Sequence, residues 1–156
     1  MKKRINYKIL IISLLIVYVV AFVGSIFTSG NTNSEWYQSI KPTITPPNYV
    51  FPIVWNILFF LIAISLYLVW TNSNKNQKPK IALIFAINFI LNILWSVFFF
   101  SMKKPSLAFV ELIFLWASIW LMIFTTWKIN KTSSYLLMPY LIWVTFAGIL
   151  NFLIAF

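Results

Sequence analysis

The segment SLAFVELIFLWASIWLMIFTTW, residues 106–127, contains 22 residues and a single charged side chain, that of Glu111. A helix of about 20 apolar residues is long enough to cross the hydrocarbon core of a bilayer. A charged side chain inside that core costs several kcal/mol, so such segments exclude charge almost completely. The segment therefore predicts a membrane-spanning helix.

Four other stretches have the same length and composition, and they cover residues 9–27, 50–70, 81–102 and 135–156. The remaining 13 charged side chains lie in the N-terminal tail and the connecting loops. Backbone groups in lipid must form hydrogen bonds within their own segment, which favours helices, and a barrel would need alternating apolar and polar residues. We predict an all-α integral membrane protein, with residues 1–156 forming a single bundle of five transmembrane helices. The short loops after the second helix predict that helices two to five are antiparallel neighbours.

The basic residues predict the orientation of the chain in the membrane. Nine of them lie in the N-terminal tail and in two alternate loops, and three lie in the other loops. The nine are Lys2, Lys3, Arg4, Lys8, Lys75, Lys78, Lys80, Lys128 and Lys131, and the three are Lys41, Lys103 and Lys104. Cytoplasmic loops hold the excess of Lys and Arg, so we expect the N-terminus inside and the C-terminus outside, in the plasma membrane. The net charge of +10 then reflects topology, and no nucleic-acid partner is expected.

Several kinds of chemistry are excluded by composition. The chain has no cysteine, no histidine and two acidic residues, so thiol and imidazole catalysis are absent and a dedicated metal site is not expected. Glu111 lies about one and a half turns inside the fourth helix. A proton relay needs more ionisable partners than this helix offers, so we expect Glu111 to pair with a group at the helix end, such as Lys103 or Lys104.

The longest loop, residues 28–49, is called loop 1 below. It begins with a polar, turn-forming run at 29–34 and continues to Pro42, Pro46 and Pro47. Proline fixes φ and disfavours helix at the residue before it. The proline-rich part of loop 1 is therefore expected to be extended and stiff.

Aromatic and amide side chains share helix faces, which predicts a candidate pocket. Trp55 and Phe59 share a face of the second helix; Asn88, Asn92, Trp95, Ser96 and Phe99 share a face of the third; Trp143, Phe146, Ala147 and Asn151 share a face of the fifth. Amides inside a membrane should face protein or a cavity. A cavity lined this way suits a flat, largely apolar ligand with polar edges. The alternative is that the asparagines only join helix to helix, and the spacing does not decide between the two.

Other side chains point to the outer surface of the bundle. Trp116, Trp120 and Trp127 share a face of the fourth helix roughly 140° from Glu111, by ~100° per residue. If Glu111 faces protein, these tryptophans face lipid or a partner subunit. Two pairs of small residues at four-residue spacing, Ala82 with Ala86 and Ala21 with Ser25, are candidates for helix contacts in a dimer.

A series of short motifs in order along the chain resembles one known family. The motifs are Trp36-Tyr37, Lys41-Pro42, Thr45-Pro46-Pro47, Phe51 with Trp55, Asn88 to Asn92, Trp95 to Phe99, and Pro139 to Ala147. Together they look like the TspO/translocator protein family, the tryptophan-rich sensory proteins, whose eukaryotic members are also called peripheral-type benzodiazepine receptors. The likeness runs from loop 1 to the fifth helix.

The resemblance implies a five-helix bundle, commonly a homodimer, that needs no cofactor and binds a tetrapyrrole such as protoporphyrin IX or haem. It implies that loop 1 covers the pocket. It places Trp36, Tyr37, Pro46 and Pro47 in the covering loop, and the pocket wall at Trp55, Phe59, Asn88, Asn92, Trp95, Ser96, Phe99, Trp143, Phe146 and Ala147.

The resemblance also leaves the activity open. The protein would be a sensory or regulatory tetrapyrrole-binding protein, a light- and oxygen-dependent porphyrin-degrading enzyme that uses Trp55 and Trp143, or a transporter of porphyrins and other lipophilic ligands. The chain departs from the family in two places. It lacks the C-terminal cholesterol motif, which argues against sterol transport, and Trp95 is expected to narrow the pocket.

Overall fold

The computed structural model describes residues 5–156, and this part of the chain is helical and contains no strand. Five segments are long and apolar enough to span a membrane, which confirms the predicted architecture. The helices are α1 (Tyr7–Thr28), α2 (Glu35–Ile40), α3 (Val50–Asn72), α4 (Lys78–Ser96), α5 (Pro105–Trp127), α6 (Lys131–Tyr135) and α7 (Met138–Ala155). The fifth span consists of α6 and α7 together. Lys2, Lys3 and Arg4 of the basic tail lie outside the described residues.

The third and fifth spans begin three and four residues before their expected starts. The fifth begins at Lys131, where the Asn130 side chain caps α6 by accepting from the Ser133 N–H at 2.8 Å. The chain then breaks before α7, whose second residue, Pro139, has no N–H to donate. The third span begins at Lys78 and ends in a π-helical turn over Val97–Ser101.

Loop 1 is more ordered than its polar and proline-rich sequence predicts. A 3₁₀ turn covers Asn31–Asn33, and α2 follows it. The Ser34 side chain caps α2 by accepting from the Tyr37 N–H at 3.3 Å, and Glu35 lies in the first turn, where a negative charge is favoured. Beyond α2 the chain is irregular up to α3, with a turn closed by the Thr45 N–H on the Pro42 carbonyl at 3.0 Å.

The five spans form a ring in which α1 contacts both α3 and α4, α4 packs on α5, and α5 packs on α7. The helices α3 and α4 contact each other only slightly, although a short loop joins them. The expectation that they are close neighbours is therefore wrong, because α1 packs against both. The ring closes weakly between α3 and α7, while α6 packs against α3 and α5.

The two ends of the bundle are built differently. At the end away from loop 1, Ser65 of α3 and Ser133 of α6 exchange hydroxyl-to-carbonyl hydrogen bonds of 2.8 Å in both directions. Such small polar pairs let helices approach closely in lipid. Toward loop 1, larger aromatic side chains fill the space between the helices, and the cavity described next lies among them.

Candidate functional site

A small cavity lies inside the bundle, between α3, α4, α5 and α7. Its volume is about 20 Å³, which is room for about one water molecule. The lining residues are Trp55, Asn92, Trp95, Ser96, Leu112, Leu115, Val144 and Ala147. Two indole rings, an amide and a hydroxyl therefore meet aliphatic side chains in one buried space.

Five of the predicted site residues line this cavity, and the others do not. Trp55, Asn92, Trp95, Ser96 and Ala147 line it. The residues that do not line it are Trp36, Tyr37, Pro46, Pro47, Phe59, Asn88, Phe99, Trp143 and Phe146. The inward direction of the α4 face is confirmed, because Asn88, Asn92, Ser96 and Phe99 are all buried.

The amides of α4 form a chain of hydrogen bonds across three helices. Asn92 donates to the Tyr140 hydroxyl at 3.0 Å, and that hydroxyl donates to Asn88 at 3.3 Å. Asn88 donates in turn to the Ser118 hydroxyl at 2.8 Å. Asn88 thus joins helices without reaching the cavity, whereas Asn92 does both. Joining helix to helix therefore describes Asn88, whereas Asn92 both joins helices and lines the cavity.

Asn151 has a purely connecting role in this structure. Its side-chain oxygen accepts from the Trp95 indole at 3.0 Å, and its amide donates to the Pro105 carbonyl at 2.9 Å. The orientation of the Trp95 ring at the cavity wall is therefore fixed from α7. Since Pro105 begins α5, the same amide also joins α7 to the start of α5.

Aromatic contacts support the indoles on the α3 and α7 sides. Trp55 stacks on Phe59, with ring centroids 5.3 Å apart, and meets Tyr140 edge-on at 6.1 Å. Trp143 packs against Phe51 at 5.8 Å instead of against the cavity. The Trp143 indole N–H is buried and has no hydrogen-bond partner in the described part of the chain. A buried donor without an acceptor is uncommon and is available to a ligand oxygen.

The helix α2 of loop 1 is held next to the cavity by rings. The ring centroids of Trp36 and Tyr37 lie 5.8 and 6.2 Å from that of Phe99. The Phe99 ring stacks on Trp95, with centroids 5.1 Å apart. Phe100, like Phe99 a residue of the π-helical turn, contacts Tyr37 at 5.7 Å. The Phe99 ring therefore lies between loop 1 and Trp95 at the cavity wall. Of its two later prolines, Pro46 is half-buried and Pro47 is exposed.

Raising the pH above about 10 is expected to weaken the attachment of loop 1. Burial raises the pKa of the Tyr37 hydroxyl above its ordinary value of 10.0. The neutral form is favoured in the folded protein, so this contribution to stability is complete below pH 10 and is lost as pH rises through the raised pKa. We expect wild type to lose more thermal stability between pH 9 and 12 than Tyr37→Phe. Parallel losses in the two proteins would contradict this, because other titrating groups affect both equally.

The structure corrects the expectation for Glu111. Its side chain is buried, which confirms that it faces protein, but neither carboxyl oxygen has a hydrogen-bond partner among residues 5–156. The expected pairing with Lys103 or Lys104 is wrong. Both lysines are exposed just before α5 begins at Pro105, and the Lys103 ammonium lies 5.8 Å from the centre of the Trp36 ring.

Two of the three tryptophans of α5 lie on the outer side of the bundle, as predicted, whereas Trp120 also packs against the hydrophobic core. Trp116 and Trp127 are exposed, and Trp120 is half-buried. The Trp116 indole donates to the Thr145 hydroxyl of α7 at 2.9 Å. Trp127 lies beneath the ammonium of Lys131, 5.4 Å from the ring centre, which fits a ring at the edge of the membrane.

Four residues of the site have no counterpart in the predicted set. Leu112, Leu115 and Val144 form the aliphatic wall, and Tyr140 provides the hydroxyl that joins Asn88 to Asn92. Tyr140 lies three residues before Trp143 and is fully buried. Its spacing to Val144, Ala147 and Asn151 is helical, so that stripe was a detectable signal. For the two leucines, Glu111 indicated the inner side of the helix, but nothing singled them out as cavity residues, because leucine also faces lipid.

Comparison with known proteins shows the family of the chain. The model of the TspO/MBR family matches residues 13–156. The chain is 39% identical to the Tryptophan-rich protein TspO of Archaeoglobus fulgidus, over 93% of this chain and 94% of that protein. It is 33% identical to the Tryptophan-rich sensory protein of Cereibacter sphaeroides, over 76% and 73% of the two chains. It is 29% identical to the Translocator protein of Homo sapiens, over 84% and 79%. This five-span membrane protein therefore belongs to the TspO/MBR family.

Proposed function

We propose that this protein binds a tetrapyrrole, protoporphyrin IX or haem, and that it acts as a sensory or regulatory protein of the membrane. The main support is that two indole rings, Trp55 and Trp95, line one buried cavity together with the amide of Asn92. Planar aromatic ligands gain from stacked and edge-on contacts with such rings. The name of the Cereibacter sphaeroides relative, a sensory protein, agrees with the regulatory role.

The polar groups near the cavity match the edges of a porphyrin. Asn92 and Ser96 offer hydrogen bonds within it, and the Trp143 indole, whose N–H has no partner in the described part of the chain, offers a further donor on α7. Propionate oxygens are acceptors, and a bond from a buried donor to an ionised acceptor is stronger than a neutral one. Trp143 would reach the ligand by turning away from Phe51. The ligand would then accept the hydrogen bond that the Trp143 N–H does not form within the described part of the chain.

Binding requires the cavity to expand. Sites for ligands of this size occupy roughly 300–1,000 Å³, against the cavity's 20 Å³. The wall that can move is the one made of rings, where Trp95 stacks on Phe99 and Phe99 contacts Trp36 and Tyr37. Loop 1 would act as a lid that moves outward with these rings. Pro46 and Pro47 would keep the rest of the lid stiff rather than contact the ligand.

The proposal includes a membrane setting and an oligomeric state. We place the protein in the plasma membrane with its N-terminus inside, on the distribution of basic residues. We also propose a homodimer. Ala82 and Ala86 are exposed on the outer face of α4, where their small side chains leave room for another helix. On α1, Ala21 is half-buried and Ser25 is exposed.

Replacing Asn92 with leucine tests the polar part of the site. We expect protoporphyrin IX to bind about 10-fold more weakly, the equivalent of losing one hydrogen bond of ~1.4 kcal/mol. The measurement is a dark titration of the purified protein in detergent. Asn88→Leu is the matched control, because Asn88 is buried and bonds to the same Tyr140 hydroxyl but does not line the cavity. Equal affinities in both variants and wild type would reject the assigned role of Asn92.

A further inference from the structure

A second cavity opens on the outer surface of the bundle, between α5 and α7. It is an almost wholly apolar groove of about 340 Å³, far larger than the internal cavity. Its lining includes Ile113 and Trp116 of α5 with Thr145 and Gly148 of α7. Both helices belong to membrane spans, so the groove faces lipid.

The groove and the internal cavity share a wall. Leu112 and Val144 line both of them. The boundary between the lipid side and the buried site therefore includes two aliphatic side chains that each touch both spaces. Valine has one strongly preferred rotamer in a helix, whereas leucine has more freedom, so Leu112 is the side chain better able to move.

Gly148 allows the two helices to approach closely at this wall. A Cβ added at position 148 would lie 3.1 Å from Cδ2 of Leu112, which is a tight contact. With glycine there, Leu112 packs directly against α7 without this tight contact, and a larger residue would press on it. In the lining of the groove, Trp116 donates to the Thr145 hydroxyl at 2.9 Å, and Thr145 donates to the Leu141 carbonyl at 2.8 Å, so the donors of both side chains are satisfied within the protein.

Two other approaches to the cavity are closed by larger groups. Toward loop 1, Trp36, Tyr37 and Phe99 form a set of touching rings. Between α3 and α7, the pairs Phe51 with Trp143 and Trp55 with Tyr140 bridge the helices. Each of these approaches contains several rings, whereas on the groove side two aliphatic side chains, Leu112 and Val144, line both the groove and the cavity.

We infer that the groove between α5 and α7 is the entry site through which a planar lipophilic ligand passes from the bilayer into the cavity, with Leu112 as the moving side chain. This inference rests on the proposed tetrapyrrole binding. A flat macrocycle that enters edge-on needs a slot one carbon layer thick, roughly 3.5–4 Å, and as wide as the ring, so α5 and α7 must also separate locally when Leu112 moves. A ligand already dissolved in the membrane then reaches the site without passing through water.

A reversible lock across the groove tests the route. The chain has no cysteine, so Leu112→Cys with Gly148→Cys introduces a single thiol pair. We expect protoporphyrin IX to bind the oxidised form in lipid nanodiscs at least tenfold more slowly than the reduced form. Dissociation should slow as well, since a barrier changes association and dissociation alike. Equal association rates in the two forms would overturn the inference.

A second pair of variants removes the dependence on disulfide formation. Ile113→Trp fills the groove from its lipid-facing wall, and Ile142→Trp makes the same change on α7 outside the groove, where the side chain is 70% exposed. Porphyrin fluorescence should show slower association in the first variant and not in the second. Equal rates in both would again reject the route. If wild type and the reduced double-cysteine protein show no saturable binding, the proposed function fails instead.

Discussion

Replacing Trp55 and Trp143 together with alanine is expected to weaken protoporphyrin IX binding by about 100-fold or more. Trp55 lines the cavity, and the Trp143 indole, which does not line it, has a buried N–H without a hydrogen-bond partner among residues 5–156. An aromatic contact contributes ~0.5–1.5 kcal/mol beyond the area that it buries. Losing about 1.5 kcal/mol at each ring removes ~3 kcal/mol, which corresponds to about 100-fold in affinity.

The matched control removes two indoles from the outside of the bundle. Trp120→Ala with Trp127→Ala changes the same residue type on α5, where Trp127 is exposed and neither ring lines the cavity. Porphyrin affinity should remain within about twofold of wild type in this control, because no ligand contact is lost. Equal weakening in the two double mutants would show that the porphyrin binds the surface or the micelle. Unchanged affinity in the Trp55 and Trp143 mutant would reject the site.

Replacing Glu111 with leucine is expected to stabilise the protein by about 1–3 kcal/mol. The carboxyl group is buried, and neither oxygen has a hydrogen-bond partner in the described chain. A buried polar group left without a partner lowers the free energy of unfolding by ~1–3 kcal/mol, and an apolar side chain of similar size does not have this cost. Thermal unfolding in detergent should therefore show a higher midpoint for Glu111→Leu than for wild type.

The same variant separates stability from ligand binding. Glu111 does not line the cavity, so porphyrin affinity should stay within about twofold of wild type. A lower unfolding midpoint would show that the carboxyl group has a stabilising partner after all. A large loss of affinity at unchanged stability would show that Glu111 contacts the ligand when the cavity expands.

The number and position of the spans could be predicted because charge is excluded from the hydrocarbon core. Helix rotation could be predicted only where a polar residue marked the inner side. Asn88 and Asn92 did so on α4, and the buried face of that helix followed from them. On α5, Glu111 marked the inner side, and Leu115 follows it by four residues, but leucine is equally stable against protein and lipid, so nothing identified Leu112 and Leu115 as cavity residues. The aliphatic wall of the cavity and the groove behind it were therefore not predictable.

The missed local features depend on contacts that are distant in sequence. The helix α2 in loop 1 is favoured by the Ser34 cap, but its position depends on the packing of Tyr37 against Phe99 and Phe100. The expected partner of Glu111 was chosen by proximity in sequence. The fold instead points its carboxyl group inward, while Lys103 lies over a ring of loop 1.

The most direct test of the central claim is a dark titration of the purified wild-type protein with protoporphyrin IX, followed by tryptophan fluorescence, beside Trp55→Phe with Trp143→Phe and beside protein-free micelles. The account predicts saturable quenching at micromolar porphyrin, weakened in the double mutant. Quenching that never saturates, or that is the same in both proteins, would mean that porphyrin only partitions into the micelle. That result would leave the family and the fold in place and remove the proposed ligand.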